Sequence, residues 1–124
     1  MEYNKNIIRT SRQLKFGENL RKSISLILQT HVFHDPILDD VTIIVTEVRV
    51  SPDLSNASVY ILALGENRNN SDIIDCINLR FRKLVGPLTR ELKLRRAPKF
   101  NFIYDDSYER QAYIDNLIAK AKRK

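Results

Sequence analysis

A shift in the hydrophobic alternation of one predicted strand constrains this chain more than any other feature of its sequence. In VTIIVTEVRV the apolar residues first occupy odd-numbered positions, Val41, Ile43 and Val45. They then shift to even-numbered ones, Val48 and Val50. Side chains of a strand alternate between the two faces of a sheet, so a slip of one residue would turn half of this set outward. We therefore predict a β-bulge around Thr46 and Glu47, which bends the strand and keeps both groups of residues on one face.

A tight turn and a second strand follow the bent strand. Pro52 and Asp53, within SPDLS, are residue types typical of turns. The next segment, NASVYILAL, carries apolar residues on both parities, with Ala57, Val59, Ile61 and Ala63 on one side and Tyr60, Leu62 and Leu64 on the other. A strand that is apolar on both faces is predicted to lie in the centre of its sheet.

Helical periodicity occurs on both sides of this hairpin. A long amphipathic helix is predicted from about Thr10 to Val32, with Thr10 or Ser11 as its cap, and a strand is expected to begin near Leu38. Beyond the hairpin, a second helix is predicted from about Ser71. Its buried stripe consists of Ile73, Ile77, Phe81 and Leu84.

Gly86-Pro87 is predicted to interrupt the second helix, with Pro87 opening a short third helix that turns Leu88 and Leu92 inward. The alternating Phe100, Phe102 and Tyr104 then indicate a third strand. The order α-β-β-α-α-β predicts a single KH-like (type II) α+β domain over residues 1–124, a two-layer sandwich with a three-stranded sheet. A basic C-terminal tail is expected from about residue 107 to 124, partly ordered.

The charges are segregated along the chain. Net charge is +4 over residues 1–30, −6 over 31–78 and +8 over 79–124, which gives +6 for the whole chain. Such segregation is expected to make one face of the fold positive and another negative. That arrangement suits a protein that docks on nucleic acid in one orientation.

Several features indicate a cytoplasmic protein. The N-terminus lacks an apolar run of signal-peptide length, and no run of roughly eighteen apolar residues, enough to cross a membrane, occurs. The single cysteine, Cys76, cannot form an internal disulfide, so a reducing compartment is expected.

Three groups of residues are candidates for chemistry. His31 and His34 could share a metal, but no neighbouring residue completes a site, and the last turn of the first helix is the favoured interpretation. Adjacent carboxylates at residues 39–40 and 105–106 could hold magnesium in a nuclease, yet neighbouring strand residues point apart, which favours turn capping. Cys76 is interpreted as a buried or half-buried thiol. We expect no catalytic residue, cofactor or metal.

The densest basic segment is RFRKLVGPLTRELKLRR. Its bases are opposed by Glu91 alone and comprise Arg80, Arg82, Lys83, Arg90, Lys93, Arg95 and Arg96. Exposed helix faces often carry such residues, but the helix pair of a KH-like layout is where nucleic acid is met, so phosphate contact is favoured. The junction at residues 84–88 has no GXXG loop, which disfavours clamping of a single strand and leaves shape and backbone contact with folded RNA.

Five segments, covering nearly the whole chain, carry a family resemblance: RKSISLIL, HDPIL, VRVSPDLSNASVYILALG, LTRELKLRRAPKFNFIYDDS and ERQAYIDNLI. Together they resemble ribosome-binding factor A, a bacterial family of small-subunit assembly factors. One position departs from the family pattern. The family usually has an Ala-x-Gly kink between its second and third helices, where this chain has Arg80, Phe81 and Arg82, and we expect the break to have moved to Gly86-Pro87.

The resemblance implies a KH-like protein without GXXG that binds the 30S subunit and its 16S rRNA and supports late maturation, 16S 5′-end processing and growth in the cold. We expect a monomer when free and no membrane contact. The predicted rRNA contacts are the seven bases above, assisted by Arg21 and Lys22 and by the tail residues Lys120, Lys122, Arg123 and Lys124. Two alternatives stay open: a KH-like RNA binder of another ribonucleoprotein and, less favoured, a small metal-dependent nuclease.

Overall fold

The computed structural model describes residues 9–65, 69–107, 112, 115–117, 119 and 120. Its elements are α1 (Ser11–Thr30), α2 (Pro36–Asp39), β1 (Thr42–Val50), β2 (Asn56–Leu64), α3 (Asn70–Arg80), α4 (Arg82–Glu91) and β3 (Lys99–Tyr104). β1 pairs antiparallel with β2, and β3 lies parallel to β2 on its other side, in the order β1-β2-β3. The predicted α+β class, with its three-stranded sheet, is confirmed, and α2 is an addition to the predicted element order.

The bulge in β1 is confirmed. Its pairing with β2 shifts between Val45 and Glu47, so that Thr46 has no partner in the register. Val45, Val48 and Val50 are all buried on the core side. The Thr46 hydroxyl donates to Oδ2 of Asp105 at 2.6 Å, so the bulge is tied to the residue that follows β3.

β2 is the central strand, as predicted. Four alternate residues along it are buried to 1% exposure or less: Ala57, Val59, Ile61 and Ala63. In the preceding turn, Asp53 accepts hydrogen bonds from the hydroxyls of Ser51 and Ser55. These bonds lower the pKa of Asp53 to about 2. These hydrogen bonds therefore stabilise the turn between β1 and the central strand β2.

The strand predicted near Leu38 is wrong, because that residue lies in the short helix α2. Asp35 caps this helix by accepting a hydrogen bond from the Ile37 N–H at 2.9 Å, and Pro36 occupies its first position. Asp-Pro is a favourable helix start, since the acid caps and the proline needs no donor there. Leu38 is consequently buried in the core, and the sheet begins only at Thr42.

α1 begins where the sequence predicted and ends two residues earlier. Thr10 caps it in a capping box with Gln13, and the helix stops at Thr30. His31 is already extended and His34 has a positive φ of 56°, so neither histidine lies in the last turn. None of the helices in the described part of the chain is both long and apolar enough to cross a membrane.

The predicted interruption at Gly86-Pro87 is also wrong. α3 ends at Arg80 and α4 begins at Arg82, with Phe81 between them, and α4 continues through Pro87 to Glu91. Phe81 is buried, and its ring packs edge-on against Phe100 at 5.5 Å and Phe102 at 4.9 Å. The break therefore lies where an aromatic side chain anchors the two helices to β3, in the middle of Arg80-Phe81-Arg82.

α1 approaches β1 closely at Gly17. A Cβ at this position would lie 2.6 Å from the Val48 carbonyl oxygen, a distance that real Cβ atoms essentially never show. Nearby, the buried Gln13 side chain donates to the Val50 carbonyl at 3.0 Å. The helix thus rests directly on the backbone of the strand just beyond its bulge, and Gly17 is what permits this contact.

Gly17→Ala is expected to destabilise the protein by about 2 kcal/mol, because the added methyl must push α1 away from the β1 backbone. Urea unfolding measures this loss. Asn19→Ala, at an exposed position of the same helix, is the matched control and should leave stability within about 0.5 kcal/mol. Equal stability of the two variants would contradict the close contact.

Candidate nucleic-acid interface

The predicted RNA-contact residues differ in exposure and in ion pairing. Six are exposed and form no ion pair with any described residue: Arg82, Lys83, Arg90, Lys93, Arg95 and Arg96. Two others, Arg80 and Arg21, are held in ion pairs. Lys22 and Lys120 are exposed. Lys122, Arg123 and Lys124 lie outside the described residues.

The outward side of α4 is basic because of its helical spacing. Leu84, Leu88 and Leu92 recur every four residues and face the core, with Leu88 fully buried. On the opposite side, Lys83, Gly86 and Arg90 follow one another at spacings of three and four residues, and all are exposed. Arg82 is exposed beside them. We call Arg82, Lys83, Gly86 and Arg90 the α4 basic face.

Three further bases, Lys93, Arg95 and Arg96, lie in the exposed loop that follows α4. The N–H of Leu94 donates to the Thr89 carbonyl at 3.0 Å and that of Lys93 to the Arg90 carbonyl at 3.1 Å, which is the pattern of a Schellman motif. Lys93 occupies its left-handed position with φ 55°, where glycine is usual. Arg95 and Arg96 follow before β3 begins. Positive side chains at this end are also stabilised by the negative C-terminal pole of the helix dipole.

Arg80 is exposed, but it also forms an ion pair with Asp35 that joins two helices. Its Nε lies 3.2 Å and one Nη 3.1 Å from Oδ2 of Asp35, whose other oxygen caps α2. The Ile37 N–H, followed by the Cys76 thiol and Arg80, lowers the pKa of Asp35. Cys76 is half-buried, as predicted, and burial raises the pKa of its thiol. Arg80 thus links the end of α3 to α2.

Asp35→Asn is expected to lower stability at neutral pH and to have little effect in acid. A carboxyl whose folded pKa is lowered contributes stability above its ordinary pKa of about 4 and loses it as pH falls through the folded value. Asparagine can still cap α2 but cannot pair ionically with Arg80. Urea unfolding of both proteins between neutral and acidic pH should show a gap that closes as pH falls. A gap independent of pH would contradict the ionic contribution.

Arg21 forms an ion pair within α1. Its Nε and one Nη contact the Glu18 carboxylate at 2.9 and 2.5 Å, one turn earlier on α1. This pair raises the pKa of Arg21 and lowers that of Glu18. Lys22 is exposed on the same helix. Of the two α1 residues predicted to contact RNA, Lys22 is thus exposed and Arg21 is half-buried and ion-paired.

A groove of about 500 Å³ opens between α4 and β3. The Asn78 amide donates to the Phe102 carbonyl at 3.2 Å and accepts from the Phe102 N–H at 2.8 Å, which closes part of the free edge of β3. Arg82 and Lys99 line this groove and are exposed. Sequence reasoning missed Asn78 and Lys99, although Lys99 follows the basic segment by only three residues.

Two of the four carboxylates considered for a nuclease, Asp39 and Asp105, accept structural hydrogen bonds. Asp39 accepts the Asp35 N–H at 2.8 Å, and the buried Asp105 accepts from Thr46 and from the Ser107 N–H and hydroxyl. Both contacts agree with the predicted capping role. Across the residues that the structure describes, no three His, Cys, Asp or Glu side chains come together as a metal site would require.

Comparison with known proteins gives consistent similarities in sequence. The family model for ribosome-binding factor A matches residues 12–118. A protein of that name from Phenylobacterium zucineum is 35% identical over 113 residues, which cover 91% of this chain and 77% of that one. Another, from Nitrobacter winogradskyi, is 35% identical over 107 residues, with 86% and 77% covered.

The fold is also similar to solved structures. The crystal structure of ribosome-binding factor A from Thermus thermophilus superposes with a TM-score of 0.61 at 27% identity, covering 74% of this chain and 94% of that one. A Thermus thermophilus homology model of the same protein, fitted into a cryo-EM map of its complex with 30S, gives 0.57 at 26% identity, with 73% and 91% covered.

Proposed function

This chain belongs to the ribosome-binding factor A family, and from that premise we propose that it binds the 30S ribosomal subunit through 16S rRNA. Bound there, it supports late maturation of the subunit, including 16S 5′-end processing and growth in the cold. It acts in the cytoplasm as a binding factor without catalysis of its own. The Thermus thermophilus relative fitted into a map of its complex with 30S supports this choice of partner.

The observation that carries the proposal is the exposed set of cations on α4 and in the loop after it, from Arg82 to Arg96, which have no ion-pair partner among the described residues. RNA phosphates are the natural counterions of such a set, and arginine forks suit them particularly well. The sequence has no GXXG loop between α3 and α4, so contact with the backbone of folded rRNA is favoured over capture of a loose strand.

Two measurements test the proposal. Purified protein should co-sediment with 30S subunits at low salt and dissociate as salt rises, because each phosphate contact releases counterions. Deleting the gene should leave unprocessed 16S 5′ ends and fewer mature subunits. Normal 5′ ends and normal subunit profiles in the deletion strain would refute the assembly role. Association with another RNA-protein particle instead of 30S would favour the alternative KH-like RNA binder.

The nuclease alternative has less support. Its most plausible ligand, Asp105, is buried and accepts hydrogen bonds from Thr46 and Ser107, which hold it as a structural group. We expect purified protein in magnesium to leave RNA intact. Cleavage that disappears in Asp105→Asn and Asp106→Asn would instead establish the nuclease.

A further inference from the structure

Two of the chain's three glycines are explained by the fold. Gly17 is required because a Cβ would collide with the Val48 carbonyl oxygen. Gly65, after β2, has a φ of 158°, and a Cβ there would come within 3.1 Å of the Asp40 carbonyl oxygen. Packing thus accounts for glycine at both positions.

Gly86 has no such tertiary explanation. It lies inside α4 on the exposed side, and the nearest atom that its Cβ would meet, setting aside its chain neighbours and the backbone of its own helix, is an Arg90 guanidinium nitrogen at an ordinary 3.6 Å. Glycine and proline are the two least favourable residues in a helix interior, and here they are adjacent. The two residues of lowest helix propensity in α4 therefore lie at the middle of the α4 basic face.

We propose that Gly86 is the point of closest approach between this protein and the ribose-phosphate backbone of rRNA. The missing side chain leaves a patch of exposed helix backbone between Lys83 and Arg90, and the Arg90 guanidinium lies 3.6 Å from where a Cβ of residue 86 would be. A strand that lies on this patch brings its phosphates within reach of both cations, which a projecting side chain would hold away. The inference rests on the proposed function and adds the place and manner of contact.

The local alternative is that Gly86 serves only Pro87. The ring of a proline crowds the Cβ of the residue before it, and glycine relieves this crowding. The two roles separate when the proline is removed first. Pro87→Ala retains the glycine, whereas the double variant Gly86→Ala/Pro87→Ala differs from it by a single methyl group at residue 86.

The test compares these two variants with the unmodified protein in 30S co-sedimentation and thermal unfolding. Both should melt higher, by about 5 °C or more, because alanine restores the N–H donor that Pro87 lacks inside α4 and has a higher helix propensity. Pro87→Ala should bind 30S as the unmodified protein does. The double variant should bind about tenfold more weakly, equivalent to about 1.4 kcal/mol, despite its greater stability. Ser71→Leu, which adds a larger side chain at an exposed position of α3, should not change binding.

Equal binding by Pro87→Ala and the double variant would overturn the inference, as would a tenfold loss in Pro87→Ala alone, which would assign the effect to the proline. Either result would leave the proposed function intact. If the unmodified protein does not bind 30S at all, the proposed function itself fails. The three outcomes are therefore distinguishable in one experiment.

Discussion

Neutralising Lys83 and Arg90 together, as Lys83→Gln/Arg90→Gln, is expected to weaken 30S binding about a hundredfold at low salt. Both side chains are exposed on the outward line of α4, and neither has an ion-pair partner among the described residues. Each is assigned one phosphate contact. The slope of log affinity against log salt should therefore become shallower by about two units. Co-sedimentation over a range of salt concentrations measures both quantities.

A matched control separates local contact from overall charge. Arg12→Gln/Lys15→Gln also removes two positive charges, from exposed positions of α1 outside the predicted contact set. Its effect should be small, and its salt slope should match that of the unmodified protein. If the two double variants lose affinity equally, net charge governs binding and the α4 basic face has no special role. Glutamine keeps the helical propensity of the replaced residues, so stability should be unaffected.

Local rules were sufficient to predict the hairpin. The parity slip between Val45 and Val48 has one economical solution, and the observed register shift at Thr46 is that solution. The two apolar faces of β2 likewise predicted its central place in the sheet. Alternation is a property of consecutive residues, so it can be read without knowledge of the rest of the fold.

The misplaced helix break and the unpredicted Arg80–Asp35 pair arose where distant residues decide local structure. Phe81 becomes the helix break because Phe100 and Phe102, about twenty residues later, bury its ring. Gly86-Pro87 lies on the exposed side of α4, and the helix continues there although proline has no backbone N–H to donate. The Arg80–Asp35 pair joins residues 45 positions apart, and no spacing rule could have predicted it.

The sequence was sufficient to predict which residues make up the candidate site. It was not sufficient to predict which of them are ion-paired or what backbone conformation they have. Density of charge identified the bases between residues 80 and 96, and the structure exposes all of them at least in part. Which of them are ion-paired depends on tertiary neighbours, as Arg80 shows. The Lys93 backbone conformation depends on the helix-ending motif around it, in a position where composition would have favoured glycine.

Phe81→Ala is expected to have the largest effect on stability, a loss of about 3 to 5 kcal/mol. The ring is 2% exposed and packs edge-on against two aromatic neighbours, so its removal leaves a cavity between α3, α4 and β3. Urea unfolding measures the loss, and Phe81→Leu, which retains most of the volume, should cost much less. A cost below about 1 kcal/mol for the alanine variant would contradict this packing.

The same position tests whether the break between the helices positions the interface. Phe81 adjoins Arg82, the first residue of α4, and anchors that end of the helix to β3. Because Phe81→Leu should remain folded while its anchor is altered, it can be tested for 30S binding directly. We expect weaker binding with an unchanged salt slope, since the phosphate contacts remain but are less well presented. A slope that becomes shallower would mean that contacts are lost outright, and unchanged affinity would mean that α4 holds its place without the aromatic anchor.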